Sequence, residues 1–167
     1  DDMADELRSL INNVFSTGAK VIYYECLCQQ KSTWMESHGL SAKLLKEYLQ
    51  KYVTNCSFSK QFLTSGEKIT EKDAVTAEII RVWSSDQTIE NVELLSSKLP
   101  YIPRDNISRV IKGNDLFVRA SKRAYLFLEK FHISEKDVEK ILDFVDSTYE
   151  KKGFVSLSDI PLGNITE

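Results

Sequence analysis

Basic and amide side chains are concentrated in one stretch of the chain, residues 101–132. This stretch has seven Lys and Arg residues against three acids, a net charge of +4, whereas the rest of the 167-residue chain carries −7. Eight polar residues in the stretch have the chemistry to bind nucleic acid: Arg104, Asn106, Ser108, Arg109, Lys112, Arg119, Lys122 and Arg123. Arg and Asn can hydrogen-bond to the edges of guanine and adenine, and Lys and Arg attract phosphates. The same residues also fit an ordinary solvated surface, where Lys and Arg are frequent.

No arrangement of residues in the sequence indicates catalysis. The segment Ser16–Lys20 lacks the phosphate-binding pattern Gly-x-x-x-x-Gly-Lys-Ser/Thr, and the common hydrolase, zinc-protease and dinucleotide patterns do not occur. The two histidines, His38 and His132, belong to no acid–nucleophile arrangement. We therefore predict no enzymatic activity, no catalytic residue and no cofactor.

The three cysteines, Cys26, Cys28 and Cys56, are an odd number, so they cannot all pair within the chain. Their spacing fits no usual zinc site, and we predict buried, reduced thiols and no metal. No apolar run reaches the roughly 20 residues of a membrane span, and the acidic start has no apolar signal region. The chain is expected to be intracellular (cytoplasmic, or nuclear in a eukaryote), and from its start without Met we expect either a processed chain or a piece of a longer protein.

A nearly identical hexapeptide occurs twice, 64 residues apart, at Ile69–Ala74 and Ile133–Val138. In each copy a Thr or Ser stands three residues before an Asp, which predicts the N-cap of a helix. A helix, a short β-like segment and a second helix start follow each copy, and a similar order begins at Asp5. The sequence therefore predicts three repeated units, the last one incomplete: 1–66, 67–132 and 133–167.

The second unit has the clearest pattern. It predicts helices over 71–84, 91–98 and 104–112, a short strand at 87–89, and a β-hairpin with strands at 116–119 and 124–128. Its first helix is expected to bury Ala74, Ala77, Ile80 and Trp83. Its third helix is expected to bury Ile107, Val110 and Ile111, which leaves the polar residues facing outward.

The first and third units match this order less well. In the first, the second helix is predicted over 26–39, the third over 41–53, and a poorly formed hairpin over 56–63. Its third helix exposes a mixed polar face, made of Lys43, Lys46, Glu47 and Gln50. We expect that face to be solvated, with a second DNA contact as the alternative. The third unit predicts a helix, a strand at 153–157 and a second helix from about Ser158.

The order helix, strand, helix, turn, helix, hairpin resembles the winged helix-turn-helix superfamily. The helix pair around 100–103 and the hairpin of 116–131 carry the resemblance, which covers residues 68–131. It implies an α+β, mostly helical protein of tandem winged-helix units, each with a three-helix core and a β-hairpin wing. It also implies that the third helix enters the major groove of DNA and that the hairpin contacts phosphates. The groove-facing residues would be Arg104, Asn106, Arg109 and Lys112, and the phosphate contacts Arg119, Lys122 and Arg123.

We therefore expect the second unit to bind double-stranded DNA through its third helix and wing, in a regulatory role. The pI of about 5.5 opposes this expectation, because most autonomous DNA-binding domains are basic. The alternative is a protein-interaction module that does not bind DNA, whose partner is another protein or another domain of the parent chain. Salt dependence separates the two, because only binding to phosphates weakens steeply with added salt.

Overall fold

The computed structural model describes residues 2–156 and 159–160, and in these residues the chain is α+β and mostly helical, with two small antiparallel sheets. We call the first two predicted units, 1–66 and 67–132, the first and second repeat. The first repeat begins with a helix and a short strand, continues with three more helices and ends in a β-hairpin. Its elements are α1 (Asp2–Ser16), β1 (Val21–Tyr23), α2 (Tyr24–Gln30), α3 (Ser32–Ser37), α4 (Ala42–Tyr52), β2 (Cys56–Phe58) and β3 (Phe62–Ser65). The single helix predicted over 26–39 is therefore wrong, since it breaks at Lys31 into α2 and α3.

The second repeat has the same order with one helix fewer. Its elements are α5 (Glu71–Val82), β4 (Ile89–Asn91), α6 (Val92–Lys98), α7 (Arg104–Lys112), β5 (Phe117–Arg119) and β6 (Ala124–Phe127). Each predicted helix and strand of this repeat is confirmed, with boundaries that differ by two residues at most. A 3-10 turn (Leu128–Lys130) and a long helix, α8 (Glu135–Lys152), follow.

Each repeat builds its sheet from the strand before its second helix and from its hairpin. The strand orders are β1-β3-β2 and β4-β6-β5, so the last strand of each hairpin lies in the middle of the sheet. In the second sheet Ile89 pairs with Leu126, and Phe117 pairs with Phe127. The first hairpin, expected to be poorly formed, has a complete antiparallel register in which Ser57 pairs with Thr64.

Side-chain caps fix the starts of α5 and α8. The Thr70 hydroxyl accepts a hydrogen bond from the backbone N–H of Asp73 at 3.1 Å, and the Ser134 hydroxyl accepts one from Asp137 at 3.2 Å. Each hydroxyl satisfies one of the backbone donors that a helix N-terminus leaves unpaired. The N-caps predicted from the repeated hexapeptide are therefore confirmed.

The hydrophobic core joins the two repeats. Val21, Tyr23, Cys26 and Phe62 of the first repeat pack in one buried cluster with the core of the second repeat, which includes Ile107. Backbone bonding also crosses the boundary, since the N–H of Tyr23 donates to the carbonyl of Tyr101 at 2.9 Å. The chain divides into two compact bodies, the first ending at Leu128 and the second beginning at Glu129, so the helices and strands of both repeats lie in the first body.

The face that α5 buries differs in part from the predicted one. Ala74 and Trp83 are buried as predicted, but Ala77 and Ile80 are exposed, and Val75 and Ile79 are fully buried in their place. The helix packs on α7 and also on β1 of the first repeat, so two neighbours cover it. One of the covered residues is Glu78, whose carboxylate accepts from the backbone N–H of Lys20 at 3.2 Å and pairs with Arg81 at 2.9 Å.

In the second body, α8 ends at Gly153, which adopts the left-handed conformation common after a helix. The strand predicted at 153–157 is wrong for its described part, because 153–156 pair with no strand among the described residues and a lone strand is not stable. Leu157 and the helix start predicted at Ser158 lie outside the described residues. Within the described part of the chain no helix has the length and apolar character to span a bilayer.

Candidate nucleic-acid interface

Helix α7 separates its apolar and polar faces as its sequence predicts. Ile107, Val110 and Ile111 are at most 5% exposed and pack into the core. Exposed or half-buried positions hold the polar residues of the helix: Arg104, Asp105, Asn106, Ser108, Arg109 and Lys112. A helix of nine residues that begins directly after Pro103 therefore presents a polar face along its whole length.

One edge of this face lies beside the β5–β6 hairpin. Together they form a groove of about 260 Å³, which we call the α7–hairpin groove. Its polar and charged lining residues are Arg104, Asp105, Ser108, Lys112, Lys122 and Arg123. The structure thus brings five of the eight predicted site residues together, from two elements that are separate in the sequence.

Glu93 of α6 neutralises part of this charge. Both oxygens of its carboxylate accept hydrogen bonds from the Arg104 guanidinium, and Arg123 lies 3.7 Å from one of them. Lys112 and Lys122 form no ion pair with any described residue, and both are exposed. Two arginines of the groove are therefore held by one carboxylate, and the two lysines keep their full charge for a ligand.

A buried hydroxyl without a partner belongs to the same groove. Tyr125, on β6, lines the groove and is 3% exposed. Its hydroxyl makes no hydrogen bond to the described residues. Buried polar groups are nearly always paired in folded proteins, so the Tyr125 hydroxyl is an exception to that rule.

Asn106 and Arg109 lie on the opposite edge of α7 and are engaged with Glu71, the first residue of α5. One oxygen of Glu71 accepts from Asn106 Nδ2, from Arg109 Nη2 and from the Tyr23 hydroxyl, each at 2.7 Å. Asn106 Nδ2 also lies 3.3 Å from the Tyr23 oxygen. We call these four residues the Glu71 network, which ties α7 to β1 of the first repeat.

The Glu71 network shifts the proton affinities of its members. Desolvation acts to raise the pKa of Glu71, but the hydrogen bonds from Tyr23, Arg109 and Asn106 outweigh it and hold that pKa below the usual range. Burial and the neighbouring Glu71 carboxylate raise the pKa of Tyr23 well above that of a free tyrosine. At neutral pH the pair is therefore an ionised carboxylate and a neutral phenol donor.

Arg119 stays on its own hairpin. Its guanidinium donates to the backbone carbonyl of Ser121 at 3.2 Å and to that of Lys122 at 3.5 Å. It does not line the α7–hairpin groove. The eight residues predicted from the sequence thus divide into five at the groove, two in the Glu71 network, and Arg119 in the hairpin turn.

Four residues that belong to these sites were not among the predicted ones: Tyr23, Glu71, Glu93 and Tyr125. The alternation of the hairpin marks Tyr125 as a core residue, and Tyr23 has the same appearance in its apolar strand. Glu71 and Glu93 look like ordinary acids in the first turn of a helix. In the sequence, the one sign that Glu71 and Glu93 would form ion pairs was the excess of positive charge on α7, the helix that they contact.

The cysteines and histidines form no reactive site in the described residues. All three thiols are free, and burial together with the nearby Glu25 charge raises the pKa of Cys26 to about 11. Cys28 and Cys56 are half-buried. In residues 2–156 and 159–160 no three His, Cys, Asp or Glu side chains cluster closely enough to hold a metal ion.

Comparison of the chain with family models, with curated proteins and with solved structures finds no significant match.

Proposed function

We propose that the protein binds double-stranded DNA through α7 and the β5–β6 hairpin, and that each repeat is a winged helix-turn-helix element. The element order of the second repeat supports the fold proposal, because a strand, two helices joined by a short turn and a hairpin follow its first helix. In such elements the third helix reads the major groove. Here that helix is α7.

The α7–hairpin groove is the observation that carries the proposal. It joins the exposed edge of the third helix to the wing, and it is lined by four cations and one acid. Lys112 and Lys122 have no ion pair among the described residues, so they can neutralise phosphates without first losing a partner.

The contacts can be assigned by the partners that each side chain already has. Lys122 and Arg123, at the hairpin turn, are assigned to phosphates. Arg119, the last residue of β5, is assigned to a phosphate as well. Lys112 is also assigned to a phosphate, at the edge of the major groove, and Ser108 is assigned to the major groove itself. Three further side chains already have a carboxylate partner: Glu93 for Arg104, and Glu71 for Asn106 and Arg109. Each must release that partner to contact DNA, so we assign these three to contacts that form only once the duplex is bound.

Fluorescence anisotropy with a labelled random-sequence duplex, titrated at several salt concentrations, tests the proposal. We expect salt-sensitive binding by the wild-type protein. Each lost phosphate contact removes about 0.9 from the slope of log affinity against log salt, so the double variant Lys112→Ala, Lys122→Ala should lower the slope by about 2. The control, Lys136→Ala with Lys151→Ala on α8, changes the net charge equally and should keep the wild-type slope. No binding by the wild-type protein at low salt would refute the proposal.

The alternative function, a protein-interaction module without DNA binding, is favoured by one observation on α8. Helix α8 has no buried residue among those described, and Val138, Leu142 and Tyr149 are between 38% and 62% exposed. Apolar residues repeated at this spacing on an exposed helix are typical of a surface that another protein covers. An interaction of that kind would change little with salt.

A further inference from the structure

A second cationic depression lies on the other side of α7, between the two repeats. This inter-repeat cleft has a volume of about 590 Å³. Asn106 and Arg109 of α7 line one side, and Lys43 and Lys60 of the first repeat line another. Three cations from three separate elements therefore meet at the cleft, with Glu25 as the acid among its lining residues.

The two lysines have no partner among the described residues. Lys43 and Lys60 are exposed and form no ion pair or side-chain hydrogen bond there. Glu25, the acid of the cleft, accepts from Gln29 at 3.3 Å. Because like charges repel in the absence of a counter-ion, lysines gathered in a cleft are best accommodated when an anion lies between them.

The lysines of the cleft come from the same two kinds of element as the groove lysines of the second repeat. Lys43 stands in the first turn of α4 and Lys112 in the last turn of α7, and each of these helices precedes the hairpin of its repeat. Lys60 lies in the turn between β2 and β3, as Lys122 lies in the turn between β5 and β6. Each repeat thus offers one lysine from its last helix and one from its hairpin turn.

Helix α7 therefore has unpaired lysines along both of its edges. The α7–hairpin groove follows one edge, with Lys112 and Lys122, and the inter-repeat cleft follows the other, with Lys43 and Lys60. A helix that lies in the major groove has the phosphates of one strand on one side and those of the other strand on the opposite side. The two cationic depressions have the arrangement that such a helix requires.

We propose that both repeats hold one DNA duplex. The α7–hairpin groove binds the phosphates of one strand, and the inter-repeat cleft binds the phosphates of the other strand through Lys43 and Lys60. This inference rests on the proposed function, and it assigns the first repeat a direct part in binding. The Glu71 network fixes the spacing between the two depressions, because it bonds α7 to β1.

The test compares three double variants in the anisotropy titration: Lys43→Ala with Lys60→Ala at the cleft, Lys112→Ala with Lys122→Ala at the groove, and Lys136→Ala with Lys151→Ala on α8 as the control. The cleft variant should lower the salt slope by about 2, as the groove variant does. The control carries the same net charge as the cleft variant and should keep the wild-type slope. Circular dichroism spectra identical to the wild type would show that the exposed substitutions leave the fold unchanged.

The outcomes separate this inference from the function on which it rests. If the groove variant lowers the slope and the cleft variant does not, the duplex lies on the second repeat alone and the inference is wrong. If the Lys136 and Lys151 control lowers the slope as much as the cleft variant does, the effect is a general one of charge, which also overturns the inference. If the wild-type protein binds no duplex at low salt, the proposed function fails first.

Discussion

Glu71 illustrates, at the scale of single residues, how one carboxylate holds three elements together. Its oxygen accepts from Tyr23 on β1 and from Asn106 and Arg109 on α7, while Glu71 itself begins α5. Hydrogen bonds to an ionised acceptor are stronger than those between neutral groups. The first turn of α5 therefore also serves as a tie between the repeats.

The substitution Glu71→Gln should change how stability depends on pH. The pKa of Glu71 is lower in the folded protein than in the unfolded chain, so its ionised form stabilises the fold above the unfolded pKa, and this contribution is lost as the pH falls through the folded pKa. We expect the variant to be less stable by about 1 to 2 kcal/mol at pH 7 and to lose less stability than the wild type on acidification.

Urea unfolding at pH 7 and at pH 3.5 measures both effects. Glu47→Gln, an exposed site on α4, is the matched control and should follow the wild-type pH dependence. Glu90, whose pKa also lies below the usual range because its bonds to Ser84 and Lys98 outweigh desolvation, is present in every protein compared and cancels in the difference. Parallel pH profiles for wild type and Glu71→Gln would contradict the role given to the network.

At the scale of elements, short-range sequence signals predicted where helices and strands begin and end. The caps at Thr70 and Ser134 and the 3.6-residue period of α7 act within a few residues, so they can be recognised without the fold. The buried face of α5 could not be recognised in this way. β1 of the first repeat covers that helix from a second side, and the contact depends on chain segments far apart in sequence.

The cap of α5 should have a measurable effect on stability. Thr70→Ala removes the hydroxyl that accepts from the backbone N–H of Asp73, which should lower the free energy of unfolding by about 1 kcal/mol. Thr70→Ser keeps the hydroxyl and should lose little of that stability. Urea unfolding of the three proteins provides the comparison, and equal stabilities for the Ala and Ser variants would show that the cap is not stabilising.

At the scale of the whole molecule, a shared core makes the two repeats interdependent. Phe62 belongs to the first repeat and Trp83 to the second, yet both lie in the same buried cluster. A single repeat of this size would bury only a small apolar surface by itself. Contacts between the repeats therefore contribute a large part of the stability of each. The two repeats should therefore unfold together.

The two tryptophans allow this cooperativity to be measured. Trp34 reports on the first repeat and Trp83 on the second, and the single-tryptophan variants Trp83→Phe and Trp34→Phe isolate each signal. In each background, adding Phe62→Ala should lower the free energy of unfolding by about 3 to 5 kcal/mol. The loss should be the same whether it is followed at Trp34 or at Trp83. If the unfolding transition followed at Trp83 is unchanged by Phe62→Ala, the repeats unfold independently.

Local chemistry alone determined the order of the elements in the second repeat, the inner face of α7 and the concentration of positive charge between residues 101 and 132. These features follow from caps, periodicity and composition, whose causes lie within a few residues. Only the tertiary structure decided which cations are free to bind a ligand. Arg109 meets Glu71 across 38 residues and Asn106 meets Tyr23 across 83, and no local pattern records such pairs. The same folding brings Lys43 and Lys60 to the side of α7, because the place of a charge relative to another element depends on packing between distant segments.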